Sequence, residues 1–116
     1  MPKFKFDYDQ ENDVMLVYKE GERSKGSVEI GESIILDFND KGMLVAMELI
    51  GAASLLSRLG GVKVNKQELA GLREISFDVD SKASPAFVKL HVVLKNSELH
   101  PVLAIPIAEK SPALAH

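Results

Sequence analysis

The chain has 116 residues, 46% hydrophobic and 27% charged, a length and balance suited to one globular domain and too apolar for disorder. It has no cysteine, which excludes disulfides, thiol nucleophiles and thiolate metal sites. Its 14 Lys+Arg against 17 Asp+Glu give a net charge of -3, and Arg23, Arg58 and Arg73 stand far apart, so neither nucleic acid nor an anionic membrane surface is an expected partner.

Lys3 to Tyr8 alternates, with Phe4, Phe6 and Tyr8 on one face, the pattern of a half-buried strand. Asp9 to Asp13 is wholly polar and reads as a turn. Val14 to Tyr18 is apolar on both faces, which predicts a strand central in its sheet. Glu20 to Gly26 is a hairpin loop, and short strands follow at Ser27–Ile30 and Ser33–Phe38. Asn39-Asp40-Lys41-Gly42 has the chemistry of a type I turn closed by a glycine at positive φ. Met43 to Ile50 is the returning strand. Five consecutive strands with tight turns predict an antiparallel meander.

At Gly51 the period changes. Ala52, Leu55, Leu56 and Leu59 lie on one face of a short helix, stopped by Gly60-Gly61. Asn65 with Glu68 three residues on predicts a capping box and one more helical turn. Leu72 to Asp80 alternates strictly, and Ser81 to Pro85 is a loop. Phe87–Lys95 and Glu98–Ile107 form a hairpin around Asn96-Ser97. That turn sets Leu94 opposite Leu99, Val92 opposite Pro101, Leu90 opposite Leu103 and Val88 opposite Ile105. Pro101 and Pro106 donate no ladder hydrogen bond, which places the last strand at a sheet edge. The expected fold class is α+β, mainly antiparallel β: an N-terminal five-strand meander, a short helix and a C-terminal three-strand meander, in a roll or sandwich forming one domain over residues 1–116. The C-terminal strands occupy residues 72–107. On this reading the second half stabilises the first, and residues 1–58 do not fold alone.

Residues 6–57 carry a series of features: Tyr8-Asp9, Glu11, Asp13-Val14-Met15-Leu16, Glu29-Ile30-Gly31, Ile35-Leu36-Asp37, Asp40-Lys41-Gly42, Met47-Glu48-Leu49-Ile50 and Ala53-Ser54. In this they resemble a prokaryotic family known as domain of unknown function 2283. Ala46 departs from the pattern, where a glycine is common, and residues 59–116 lie outside it. The resemblance implies a fold; the family has no assigned activity.

Asp7, Asp9, Glu11 and Asp13 have the one-apart spacing of a calcium loop, but the positions for its glycine and its bidentate glutamate hold Asn12 and Tyr18. A solvated turn is the simpler reading, with Asp9, Glu11 and Asp13 as candidate ligands. His91 and His100 are read as diagonal neighbours on one strand face, able to share a transition metal with Glu98 or Lys89 nearby. Asp37 and Glu48 lie on adjacent strands but out of step, and Asp37 is placed against the N–H groups of the following turn. Ser54 lacks a nucleophile elbow and is read as bonding the backbone at the helix start. Gly60-Gly61 lacks a phosphate-loop context. No residue is assigned as catalytic, and no cofactor is expected.

Phe87, Val93, Val102 and Ala104 make the second face of the C-terminal hairpin apolar, so either the helix Ala52–Leu59 or a second copy should cover it. The preferred expectation is a homodimer acting through protein–protein contact rather than as an enzyme. The acidic N-terminal half agrees with a protein partner: residues 1–58 hold 7 basic and 11 acidic groups. The alternative is a small-ligand or metal-binding protein, possibly an enzyme, using the Asp7–Asp13 turn or the His91/His100 pair. No apolar run nears the ~20 residues of a membrane helix, no secretory pattern opens the chain, and the expected location is cytoplasmic.

Overall fold

Alternation builds the first hairpin as expected. In the computed structural model, which describes residues 3–80 and 86–105, Phe4–Asp9 (β1) and Val14–Lys19 (β2) pair antiparallel, Phe6 opposite Val17 and Tyr8 opposite Met15. Gly26–Ile30 (β3), Ile34–Phe38 (β4) and Leu44–Ile50 (β5) follow. The turn before β5 forms as its residues demand: Gly42 has φ 78°, and the Asn39 side-chain oxygen accepts from the Lys41 and Met43 amides.

These strands do not form a sequential meander. Their order is β1-β2-β5-β4-β3, so β5 returns to lie between β2 and β4. The reason is in β5 itself. Leu44, Val45, Ala46 and Met47 are buried one after another, and a strand apolar on both faces gains most at the centre of a sheet. The connection from β2 to β3 must then pass two strands, a Greek-key arrangement.

Ala52–Gly60 (α1) turns Ala52, Ala53, Leu55 and Leu56 into the core, and Gly61, at φ 70°, closes it by donating to the Ser57 carbonyl. Lys66–Ala70 (α2) starts with the expected capping box between Asn65 and Glu68. The second sheet contains Glu74–Asp80 (β6), Ala86–Val93 (β7) and a return strand in two pieces, Glu98–Leu99 (β8) and Val102–Ile105 (β9), both paired with β7. That is the predicted three-strand arrangement with Pro101 at its edge. The predicted loop at 81–85, Pro106 and the strand end at Ile107 lie outside the described residues.

The register of this hairpin differs by two residues from the sequence reading. Val92 faces Leu99, Val93 faces Glu98 and Val88 faces Leu103. The Leu94 amide donates to the Ser97 carbonyl at 2.8 Å, so the central turn residues are Lys95 and Asn96. A slip of two keeps every side chain on its face, so the apolar pattern fits both registers equally well. Pro101 interrupts the ladder while its carbonyl accepts from the Leu90 amide.

One continuous core joins both sheets and both helices, including Met15, Met47, Leu56, Leu69, Phe77 and Leu103. At the seam the Phe4 ring meets Phe77 edge-on, with centroids 4.9 Å apart, and the Lys19 ammonium stands 5.6 Å over the Phe77 ring. The helix α1 packs against β5 and β9 from the core side. It does not cover the outer face of the second sheet, which corrects one of the two options for that face.

Asp13 fastens this assembly. It is the buried charged residue of the described chain and has φ 55°, a left-handed backbone that Asp tolerates better than most residues. Its carbonyl accepts from the Gly51 and Ala52 amides at 2.9 and 3.0 Å. Its carboxylate accepts from the Ala53 amide at 3.1 and 3.2 Å and from the Tyr8 hydroxyl at 2.6 Å. Gly51, in the N-cap position, offers no side chain, so a residue 40 positions away supplies the cap. The role read for Ser54 belongs to Asp13.

Replacing Asp13 by Ala strands the Ala53 amide and the Tyr8 hydroxyl, and should cost about 2–4 kcal/mol in urea unfolding. Asp13→Asn keeps an acceptor and tolerates positive φ, so it should cost less. Residues 1–58 alone lose the second half of the core and should show no cooperative thermal transition by circular dichroism.

Candidate metal centre

Period two places the polar groups of the second sheet. With Leu90 and Val92 buried, Lys89, His91 and Val93 point outward, and on the return strand so do Glu98, His100 and Val102. The register pairs Val93 with Glu98 and Lys89 with Val102. Continued across the break at Pro101, it sets His91 directly opposite His100, closer than the predicted diagonal. Their rings stack with centroids 4.9 Å apart and planes 9° from parallel.

Glu98 joins both histidines. Its Oε2 lies 3.1 Å from His91 Nε2, a hydrogen bond when that nitrogen carries its proton, and 3.7 Å from His100 Nε2. One ligand atom from each of the three residues lies within 4.8 Å of the others. A zinc ion with ligands at ~2.1 Å in a tetrahedron holds them ~3.4 Å apart. The two carboxylate–imidazole distances already bracket that value. The imidazoles must tilt towards each other, and side-chain exposures of 45%, 69% and 56% for His91, His100 and Glu98 leave them room to do so. Two imidazoles and one carboxylate suit zinc, iron(II) and their first-row neighbours, with positions left open for exogenous ligands.

The acidic turn is arranged differently. Asp9 accepts from the Asn12 amide and from its side-chain nitrogen, and these bonds, the side-chain one foremost, hold its carboxyl below the usual carboxylate range. Asp13 points inward to α1, and Glu11 is exposed. The structure gives these three different tasks and does not gather them around one point. Asp37 accepts from the Ser27 hydroxyl on the neighbouring strand; the turn amides placed beside it by the sequence are held by Asn39 instead. As expected, Asp37 and Glu48 are not opposite each other: they face Ala46 and Ile35. Of the residues read as an interface, Phe87 and Val93 are half-buried, while Val102 and Ala104 are exposed.

Residues 5–52 match the family described as protein of unknown function (DUF2283). An uncharacterized protein of Methanocaldococcus jannaschii is 35% identical over 92 residues, covering 79% of this chain and 72% of that protein. The chain belongs to this family. The family match spans β1 to β5 and includes Asp13, whereas His91, Glu98 and His100 fall outside it. The likeness to the archaeal relative is longer than the family segment and reaches into the second sheet. No solved structure matches the chain. No helix among the described residues is long and apolar enough to cross a membrane.

Within the DUF2283 segment, burial first and then the Asp13 carboxylate push the Tyr8 phenol well above the usual tyrosine value of 10.0. A phenol raised in the folded state stabilises fully below that value, and the contribution is lost as the pH climbs above it. Urea stability should therefore fall above pH ~10. Tyr8→Phe should flatten that fall, while lowering stability at neutral pH by about 1 kcal/mol through the lost hydrogen bond.

Proposed function

We propose that this protein binds a first-row divalent transition metal, zinc above all, through His91, Glu98 and His100. The observation that carries the reading is the meeting of three ligand atoms within 4.8 Å across one hairpin. His91 and Glu98 sit on paired strands, β7 and β8, whose backbone is more rigid than a loop, and His100 follows β8 directly, so little ordering opposes binding. Its ligands are nitrogen and oxygen only, which favours zinc, copper(II), nickel and iron(II) over copper(I). The protein's role on this reading is to hold or present such an ion rather than to act through an assigned catalytic group.

A second reading is favoured by a separate observation. Val102 is 47% exposed, and on the same outer face Ala104 is exposed while Phe87 and Val93 are half-buried. Self-association through that face gives a homodimer, with the acidic first half left open to a protein partner. Sedimentation equilibrium of metal-free protein tests it: Val102→Glu should shift a dimer to monomer, and a monomeric wild type rules it out.

For the metal reading, calorimetric titration of zinc into chelator-treated, untagged protein should show one site per chain. His91→Ala and His100→Ala should each weaken it by more than about tenfold, and Glu98→Gln by a smaller factor. Asp9→Asn should leave it unchanged. Equal affinity in all four variants would remove the proposal.

A further inference from the structure

The histidine pair forms one wall of a shallow pocket of about 260 Å³, open on the outer face of the second sheet. Its remaining walls include Ser76 and Asp78 from β6, Lys89 from β7 and Val102 from β9. The depression and the metal cluster thus share two side chains, His91 and His100. An ion held by those imidazoles and Glu98 has its fourth position unclaimed among the described residues, and the pocket is the concave surface beside it.

The chemistry of that surface narrows what fills the position. A dication, less the carboxylates of Glu98 and Asp78, plus the Lys89 ammonium, leaves one positive charge with neutral imidazoles. A monoanion balances it; a dianion overshoots. The Ser76 hydroxyl and the Lys89 ammonium are hydrogen-bond donors on the pocket wall, suited to a second oxygen of the same ligand. Val102 adds an exposed apolar patch, suited to a short alkyl group. The volume takes several heavy atoms, since a water fills ~30 Å³ in the liquid.

We propose that the metal-loaded protein binds a small monocarboxylate in this pocket, one oxygen on the ion at His91/Glu98/His100 and the other towards Lys89 and Ser76. This rests on the metal reading given above and goes beyond it by naming the ligand class. No bond is made or broken in the protein or the carboxylate; the ligand replaces water on the ion. Lys89 stands directly opposite Asp78 on β6, and the assignment gives its ammonium a further partner in the anion that the ion brings.

The test uses the full chain loaded with cobalt(II), whose visible absorption reports its ligands, titrated separately with acetate, inorganic phosphate and chloride. Acetate should give a saturable spectral change, tighter than chloride and phosphate. Lys89→Met should weaken the acetate response about fivefold to tenfold while leaving cobalt affinity within about twofold, because it removes a charge-assisted contact to the anion and no metal ligand. Cobalt bound with no acetate response would overturn the pocket assignment and leave the metal site standing. So would an acetate response unchanged in the Lys89→Met protein. A spectrum indifferent to acetate but dependent on protein concentration would give the fourth position to a second copy, again overturning it. Failure of cobalt to bind would sink both readings together.

Discussion

A single carboxylate decides how the first half of this fold is closed. Asp13 ends the β1–β2 turn in a left-handed conformation and directs its side chain into the protein, where it caps α1 and accepts from Tyr8. The arrangement answers two needs at once. The first amides of a helix lack partners, and a buried carboxylate is costly unless donors surround it. Each group supplies what the other lacks. Because the partners are 40 residues apart in the chain, neither the turn nor the helix start is satisfied until β2 has paired with β5. Local propensity alone does not hold α1 in place: a nine-residue helix is marginal in isolation.

The second sheet completes what the first begins. Five strands with one short helix leave the inner face of Met15, Leu36, Met47 and Leu49 in need of a cover, and the inner face of β6, β7 and the return strand provides it within one core. This frees the opposite face of the second sheet for polar chemistry, and His91, Glu98 and His100 lie there. Architecture and candidate chemistry are therefore separated: the family segment holds the buried clamp, and the three candidate metal ligands lie beyond it, on the second sheet. A change to the exposed ligands touches no core contact, which is the setting in which binding properties diversify while a fold persists.

Much of the fold is legible in the residues. Strand positions follow from period two at Phe4–Tyr8 and Ile75–Val79, the capping box follows from Asn65 and Glu68, and the tight turn before β5 follows from Asn39 and Gly42. Strand order is harder, because adjacency between β2 and β5 is a long-range choice and chain order suggests a meander. The signal for it was present in the unbroken apolar run Leu44–Met47, which marks a strand buried on both faces. The role of Asp13 was hidden for a different reason: within a run of acidic residues, nothing in sequence distinguishes the one that turns inward from those that face water. The candidate site was half legible. The two histidines stood out, but their direct opposition depends on the turn register, which the apolar pattern does not fix, and Glu98 gains its place between them only in the folded hairpin.

That ambiguity of register has a consequence for how the hairpin is specified. Sliding the return strand by two residues leaves apolar side chains opposite apolar side chains, so the interior is nearly blind to the slip. The outer face is not blind. Only one alignment stacks His91 on His100 and sets Glu98 against both. The exposed trio thus serves as a vernier for the strand pairing, selecting among alignments that the core treats as equivalent. By the same logic, two-residue insertions or deletions in the turn would carry polar groups along the sheet in discrete steps, rebuilding this surface without disturbing the interior.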